Sequence, residues 1–347
     1  MTIRTSALIA LVGSAVLITG WELYWRSQGR VPTIEGNKHL YAAERHKVND
    51  LSEDDFVIVG SSRVLFNIQL DEFEKLTGKK PIQLAIEGSS PLPTFRDIVN
   101  NTNYKGTVIV GVTPGLFFST TFPKAGPIEN PQSKVDHYLS RTIAQRIGHD
   151  LSMPLQKNFA FVAEYDQVLD ENVDLKSLLN NVELDNRIGK PRYPPFFMFG
   201  KLRQDRNMRM LDKVATDTSE ANIIINAWKF VLGGNNQPPD KNGTTAYFAE
   251  DAAKFKARGG TIIFVRCPSS HMFKGGEAKF FPRERFYDSL VNVVKAPAYH
   301  YNDYEELRSI DCCPEWSHLS GENADVFTRE LVKILQKDKL APTIKNQ

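Results

Sequence analysis

Three short apolar runs, each closed by a glycine turn, constrain this chain more than any other feature. DFVIVG (residues 55–60) runs into Ser61 and Ser62. PIQLAIEG (81–88) runs into Ser89 and Ser90. TVIVGV (107–112) runs into Thr113, Pro114 and Gly115. Such runs, rich in β-branched residues and ended by glycine, read as strands. Between them lie segments with helical spacing. One covers 70–77, with Leu70, Phe73 and Leu76 on one face and Gly78 as its stop; another covers 92–100, with Phe95, Ile98 and Val99 together. The pattern resumes late in the chain. It predicts a helix over 245–257, a strand over 261–266, a helix over 283–294, a weaker strand over 296–301 and a last helix over 321–335. Strands that are apolar throughout and alternate with helices predict an α/β fold with a five-stranded parallel sheet covered on both faces.

Between residues 118 and 243 the rhythm is lost. Proline-rich loops and helical stretches at 138–147 and 219–232 predict a helical insertion after the third strand, capping the carboxyl edge of the sheet. Residues 187–209 are basic, with Tyr193, Phe196, Phe197 and Phe199 interleaved. They read as a solvated face beside a small apolar cluster; the rival is a surface for a membrane, partner or glycan.

The N-terminus bears on location. From Thr5 to Trp25 the single charged residue is Glu22, near the end. About 20 apolar residues span a bilayer as a helix, and Trp21, Tyr24 and Trp25 fit an interfacial belt. A long run without a small-residue cleavage site reads as an uncleaved signal anchor over 5–25 rather than a removed signal peptide. A polar stem (26–50) and a domain (51–340) follow. Arg4 precedes the span and Arg26, Arg30 and Lys38 follow it, so charge alone does not orient it. The site chemistry below places the domain outside, in a bacterial periplasm, anchored by a single pass in the inner membrane.

Composition excludes several classes. Lysine plus arginine (43) against aspartate plus glutamate (41) leaves +2, which gives no electrostatic case for nucleic acid. Hydrophobic residues are 41% and charged ones 24%, a globular mixture that excludes a disordered chain or a polytopic membrane protein. The three cysteines, Cys267, Cys312 and Cys313, lack zinc-site spacing. An exported chain could pair Cys267 with Cys312 or Cys313; three buried thiols are the equal alternative.

In an open parallel sheet, ligands bind beyond the carboxyl ends of the strands. Strand one ends in Ser61, Ser62 and Arg63. Just before the last helix lie Asp311, Glu315 and His318. Nucleophilic acyl transfer needs such a set: a serine hydroxyl, a histidine to take its proton, and a carboxylate to fix the imidazole. Glycine turns at the strand ends can supply backbone N–H groups to an oxyanion. Arg63 is read as the partner of a carboxylate, and His271, after strand four, as a rival base of ordinary surface character. No phosphate-binding loop or dinucleotide fingerprint is present, and neither metal nor cofactor is expected.

VIVGSSRV, AIEGSS and WSHLSGENADVFTREL together resemble the blocks of the SGNH (GDSL-type) hydrolase superfamily, in its membrane-anchored cell-envelope branch. That branch includes polysaccharide O-acetyltransferases and teichoic-acid D-alanyl transfer proteins. The resemblance covers residues 56–335 apart from the insertion. It implies a flavodoxin-like three-layer fold and a serine acyl-enzyme acting on a glycan, with a multi-spanning membrane acyltransferase as donor partner. By position, Ser62 is the nucleophile, with Ser61 as the alternative if the turn is shifted. His318 is the base and Glu315 its acid, with Asp311 as substitute. The backbone N–H groups of Ser62 and Gly88 are the oxyanion donors. Two departures stand out. Glu315 replaces the usual aspartate, and Thr113 stands where the third block supplies asparagine. The expected function is a periplasm-facing serine acyltransferase or esterase moving an acyl group, most often acetyl, to or from a cell-envelope polysaccharide. The alternatives are a catalytically degenerate glycan-binding or scaffold subunit of a polysaccharide modification complex, and a cytoplasm-facing hydrolase.

Overall fold

The computed structural model describes residues 2–122, 124–162, 199–233, 238–310 and 313–344. Five parallel strands form its central sheet: β1 (Phe56–Val59), β2 (Ile82–Gln83), β3 (Thr107–Gly111) and, later in the chain, Thr261–Arg266 and Ala298–His300. Two short strands, β4 (Gly200–Leu202) and β5 (Met208–Met210), form a separate antiparallel pair, so the last two sheet strands are β6 and β7. The sheet order is β2-β1-β3-β6-β7. Register runs Val57 to Ile82, Val57 to Val108, Ile109 to Ile263 and Val265 to Tyr299.

The continuous apolar runs are explained by burial on both faces. Side chains alternate across a strand. Val57, Val59, Val108, Val110, Ile262 and Phe264 enter one core, with the helices Leu92–Asn101, Lys241–Ala257 and Tyr287–Val294. Ile58, Ile109, Ile263 and Val265 enter the other, against Ser62–Asn67, Leu70–Thr77 and Gly321–Lys337. The stripe Ala324, Phe327, Leu331 and Leu335 of the last helix lies in that second core.

Several expectations are corrected. Regular strand in the 81–88 run is confined to Ile82–Gln83, although Leu84 N–H still donates to Ile58 (2.8 Å) and Ile86 N–H to Gly60 (3.0 Å). The segment 26–50 is no free stem. Its helix Lys38–Lys47 buries Leu40, Tyr41 and Ala42, and its Arg45 makes a buried ion pair with Asp97 at 2.5 Å. The expected helix at 138–147 spans the end of one helix, Gly126–Ser140, and the start of another, Ile143–Asn158. The region between β3 and β6 is not purely helical, because it holds the β4–β5 pair. Of the basic stretch, Arg187, Lys190 and Arg192 lie outside the described residues. Of its later members, Lys201 is exposed, Arg203 pairs with Asp71 and Asp205, Arg206 is buried and donates to Ala85, and Arg209 pairs with Asp325.

The N-terminal helix Ile3–Ser27 is long and apolar enough to cross a membrane. Its last turns are tied to the rest of the chain. Glu22 accepts from the Ala160 and Phe161 N–H groups, and Arg26 donates to Asn158.

Reversal of strand order beside β1 opens a crevice between the carboxyl ends of β1 and β3. Two glycines shape it. A Cβ on Gly111 would meet Val64 Cγ1 at 2.4 Å, and one on Gly60 would meet Val64 Cγ2 at 2.5 Å. Val64 therefore seats the first turn of Ser62–Asn67 directly on the strand ends. Because valine is stiff at χ1, Gly111→Ala is expected to cost about 1–3 kcal/mol of stability, read as a lowered urea midpoint with unchanged slope.

Candidate active site

The turn after β1 sorts the two serines. Ser61 caps the helix: its hydroxyl accepts from the Arg63 N–H (3.4 Å) and pairs with the Thr113 hydroxyl at 2.6 Å across the crevice. Ser61 is buried and its oxygen is committed. Ser62, the first helical residue, is partly exposed. Its Oγ lies 2.8 Å from His318 Nε2.

His318 is brought there by the loop before the last helix. Asn67, at the end of the serine's own helix, accepts from the Leu319 N–H through Oδ1 at 3.0 Å. The helix of Ser62 and the loop of His318 are thus held to one another. The Ser320 hydroxyl caps the following helix by accepting from the Asn323 N–H.

Glu315 completes the chain of contacts. Its Oε1 accepts from His318 Nδ1 (2.9 Å) and from the His318 backbone N–H (2.6 Å). Its Oε2 accepts from Trp228 Nε1 at 2.5 Å. A fully buried carboxylate is costly unless hydrogen-bonded, and here three N–H groups meet its two oxygens. A carboxylate accepts and does not donate, so Nδ1 carries the imidazole proton and Nε2 presents its lone pair to Ser62. The Glu-x-x-His spacing achieves this within one turn, with a glutamate in the place expected for aspartate.

Aromatic groups wall the imidazole. Its ring centre lies 4.5 Å from that of Phe66, 5.6 Å from Phe199 and 6.2 Å from Trp228. Phe199 precedes β4 and Trp228 sits on the helix Thr218–Leu232. The region between β3 and β6 therefore supplies two walls and one anchoring hydrogen bond. Sequence reasoning missed Phe66, Asn67 and Trp228, and noted Phe199 only among the aromatics of the basic stretch. The spacing of Trp228 carries no signal, since it is 87 residues from Glu315.

Other candidates fall as follows. Ile86 donates to Gly60, and two residues on Gly88 takes a left-handed φ of 61°. Among the described residues, the Ser62 and Gly88 N–H groups have no hydrogen-bond partner. Thr113 is at the end of β3, but its hydroxyl is engaged by Ser61. His271 is exposed and stacked on Trp316, with ring centres 5.5 Å apart. Asp311 and Cys312 lie outside the described residues. Among the described residues Cys267 and Cys313 are not bridged: Cys267 is a fully buried thiol, and burial pushes its pKa up to about 12. Cys313 is also buried, its sulfur 3.9 Å from the Pro268 carbonyl oxygen.

Arg63 does pair with a carboxylate. It meets Glu277 at 2.5 Å, and Glu277 also takes Arg266 and the Ser269 hydroxyl. Burial opposes ionisation of Glu277, yet Arg266 and Arg63 outweigh it and hold its pKa below the ordinary glutamate range. A lowered folded-state pKa contributes stability above the unfolded value of about 4.3 and loses it as pH falls through the folded one. Glu277→Gln leaves two buried guanidinium groups without their counter-charge. It is expected to cost about 3–5 kcal/mol at neutral pH, with a smaller difference from the wild type in acid, measured by urea unfolding at pH 7 and pH 3.

No family model matches the chain, and no curated protein matches it.

Proposed function

We propose that this chain is a membrane-anchored serine acyltransferase or esterase of the SGNH type, working through an acyl-enzyme on Ser62. The observation that carries this reading is the continuous contact from Ser62 Oγ to His318 (2.8 Å) and on to Glu315 (2.9 Å). Those distances are what proton transfer from a serine requires. The sheet order β2-β1-β3-β6-β7 adds support. With the antiparallel pair set aside it is the 2-1-3-4-5 order of flavodoxin-like folds.

In the proposed reaction, His318 Nε2 takes the Ser62 proton as Oγ attacks an ester carbonyl. The tetrahedral oxyanion is met by the Ser62 and Gly88 N–H groups. The imidazolium then returns its proton to the departing alcohol, leaving acyl-Ser62. A sugar hydroxyl, or water, is deprotonated by His318 and attacks that ester, and Ser62 is restored. The acceptor belongs to a cell-envelope or exported polysaccharide, the donor is a multi-spanning membrane acyltransferase, and the domain faces the periplasm from the inner membrane.

One observation favours a second reading, a catalytically degenerate glycan-binding or scaffold subunit. The Thr113 hydroxyl, in the place of the third-block asparagine, is turned to Ser61 at 2.6 Å. An oxyanion donor is worth about 10²–10³ in rate. Intact-mass analysis of the full chain with p-nitrophenyl acetate separates the two. The enzyme reading expects one acetyl adduct that maps to Ser62 and is absent in Ser62→Ala. An unreactive wild-type chain favours the scaffold.

A further inference from the structure

The helix Ile143–Asn158 is amphipathic the wrong way round for a soluble domain. It buries His149, Met153 and Gln156. It exposes Ile143, Ile147, Leu151 and Leu155, at 66%, 53%, 71% and 51%. Spaced four apart, these form one stripe across about 120° of the helix. Ala144, Pro154 and Asn158 fall in the same sector and add no charge to it. Water has no favourable answer to such a stripe.

Its surroundings say what covers it. The helix ends at Asn158, whose carbonyl accepts from Arg26, and the next residues, Ala160 and Phe161, donate to Glu22. Glu22 and Arg26 are in the last turns of the apolar Ile3–Ser27 helix, where Trp21, Tyr24 and Trp25 stack as an aromatic cluster. The stripe therefore starts from the level at which the span leaves the bilayer. Asp150 borders the stripe directly, and Arg146 and Lys157, both exposed, lie beyond it on the same side.

We propose that Ile143–Asn158 lies in the membrane interface, its four aliphatic side chains among the acyl chains and Arg146 and Lys157 at the level of anionic headgroups. A helix with an apolar face and cationic side chains on its polar flank binds in this manner. Together with the span it gives the domain two points of attachment, so the domain is held at a set angle to the membrane rather than swinging on a tether.

The test uses the full chain in liposomes of phosphatidylcholine and phosphatidylglycerol, doped with a phospholipid carrying a photoactivatable diazirine in its acyl chain. After irradiation and proteolysis, lipid adducts are expected on residues 143–158 as well as on the span. Ile147→Gln/Leu151→Gln removes two exposed side chains, so thermal unfolding should be unchanged. Adducts on 143–158 should fall at least about fivefold relative to those on the span. Adducts confined to the span overturn the proposal, as do protein adducts joining the stripe to residues 163–198 or to a second copy. Absence of adducts on both segments overturns it together with the membrane reading of the N-terminal helix.

Discussion

His318→Ala is expected to lower the rate of Ser62 acylation by about 10⁴- to 10⁶-fold, leaving the residual rate that binding and the oxyanion donors alone supply. Among the described residues the hydrogen-bond partner of the Ser62 hydroxyl is His318, so removing the imidazole removes its proton acceptor. The two residues act as a unit, so Ser62→Ala/His318→Ala should be no slower than either single variant. Truncation also opens space among Phe66, Phe199 and Trp228, and lost packing could mimic lost chemistry. His318→Gln keeps most of the volume and serves as the control. It should match His318→Ala in acylation while unfolding closer to the wild type. The measurement is the second-order rate of p-nitrophenol release under single-turnover conditions. A loss below about tenfold would mean that His318 is a wall and not a base, and would leave the scaffold reading standing.

The residues that sequence reasoning placed well share one property: their signal is local. Phe56–Val59, Thr107–Gly111 and Thr261–Arg266 are continuous apolar runs because both sheet faces are covered, and burial by helices on each side leaves no polar alternation to confuse the pattern. Glu315 and His318 share one turn, so their relation is visible as a spacing. Long-range polar pairing leaves no such trace. Lys38–Lys47 looked like a stem because its composition is polar, yet Arg45 finds Asp97 52 residues away and Tyr41 lies in the core beside it. The strands β4 and β5 have three residues each, too few for any period to register. Ser61 and Ser62 cannot be separated by type or neighbours. Geometry separates them, because one hydroxyl is needed as a helix cap and the next, a residue on, is turned to the histidine.

Glu315→Gln should reduce acylation by about 10⁴-fold, and the reason lies in the count of donors around it. The carboxylate accepts from two N–H groups of His318 and one of Trp228. A glutamine has one acceptor oxygen in place of two. If that oxygen faces Trp228, the amide NH₂ faces His318 Nδ1. The imidazole must then move its proton to Nε2, which turns a donor toward Ser62 and removes the base. If the oxygen faces His318, the NH₂ opposes the Trp228 N–H, and a buried donor left unsatisfied costs about 1–3 kcal/mol. With the oxygen on Trp228 it is the His318 backbone N–H that is left opposed, so each orientation strands one buried donor, and Trp228 is what keeps the working orientation from being free of cost. Trp228→Phe removes the competing donor and lets the glutamine oxygen face Nδ1, restoring the working tautomer although not the negative charge. Trp228→Phe/Glu315→Gln is therefore expected to acylate faster than Glu315→Gln alone, with a coupling of about 1–2 kcal/mol. Trp228→Phe by itself should cost far less than Glu315→Gln. A double variant that is merely the product of its two singles would show that Trp228 packs beside the acid without governing which way it faces.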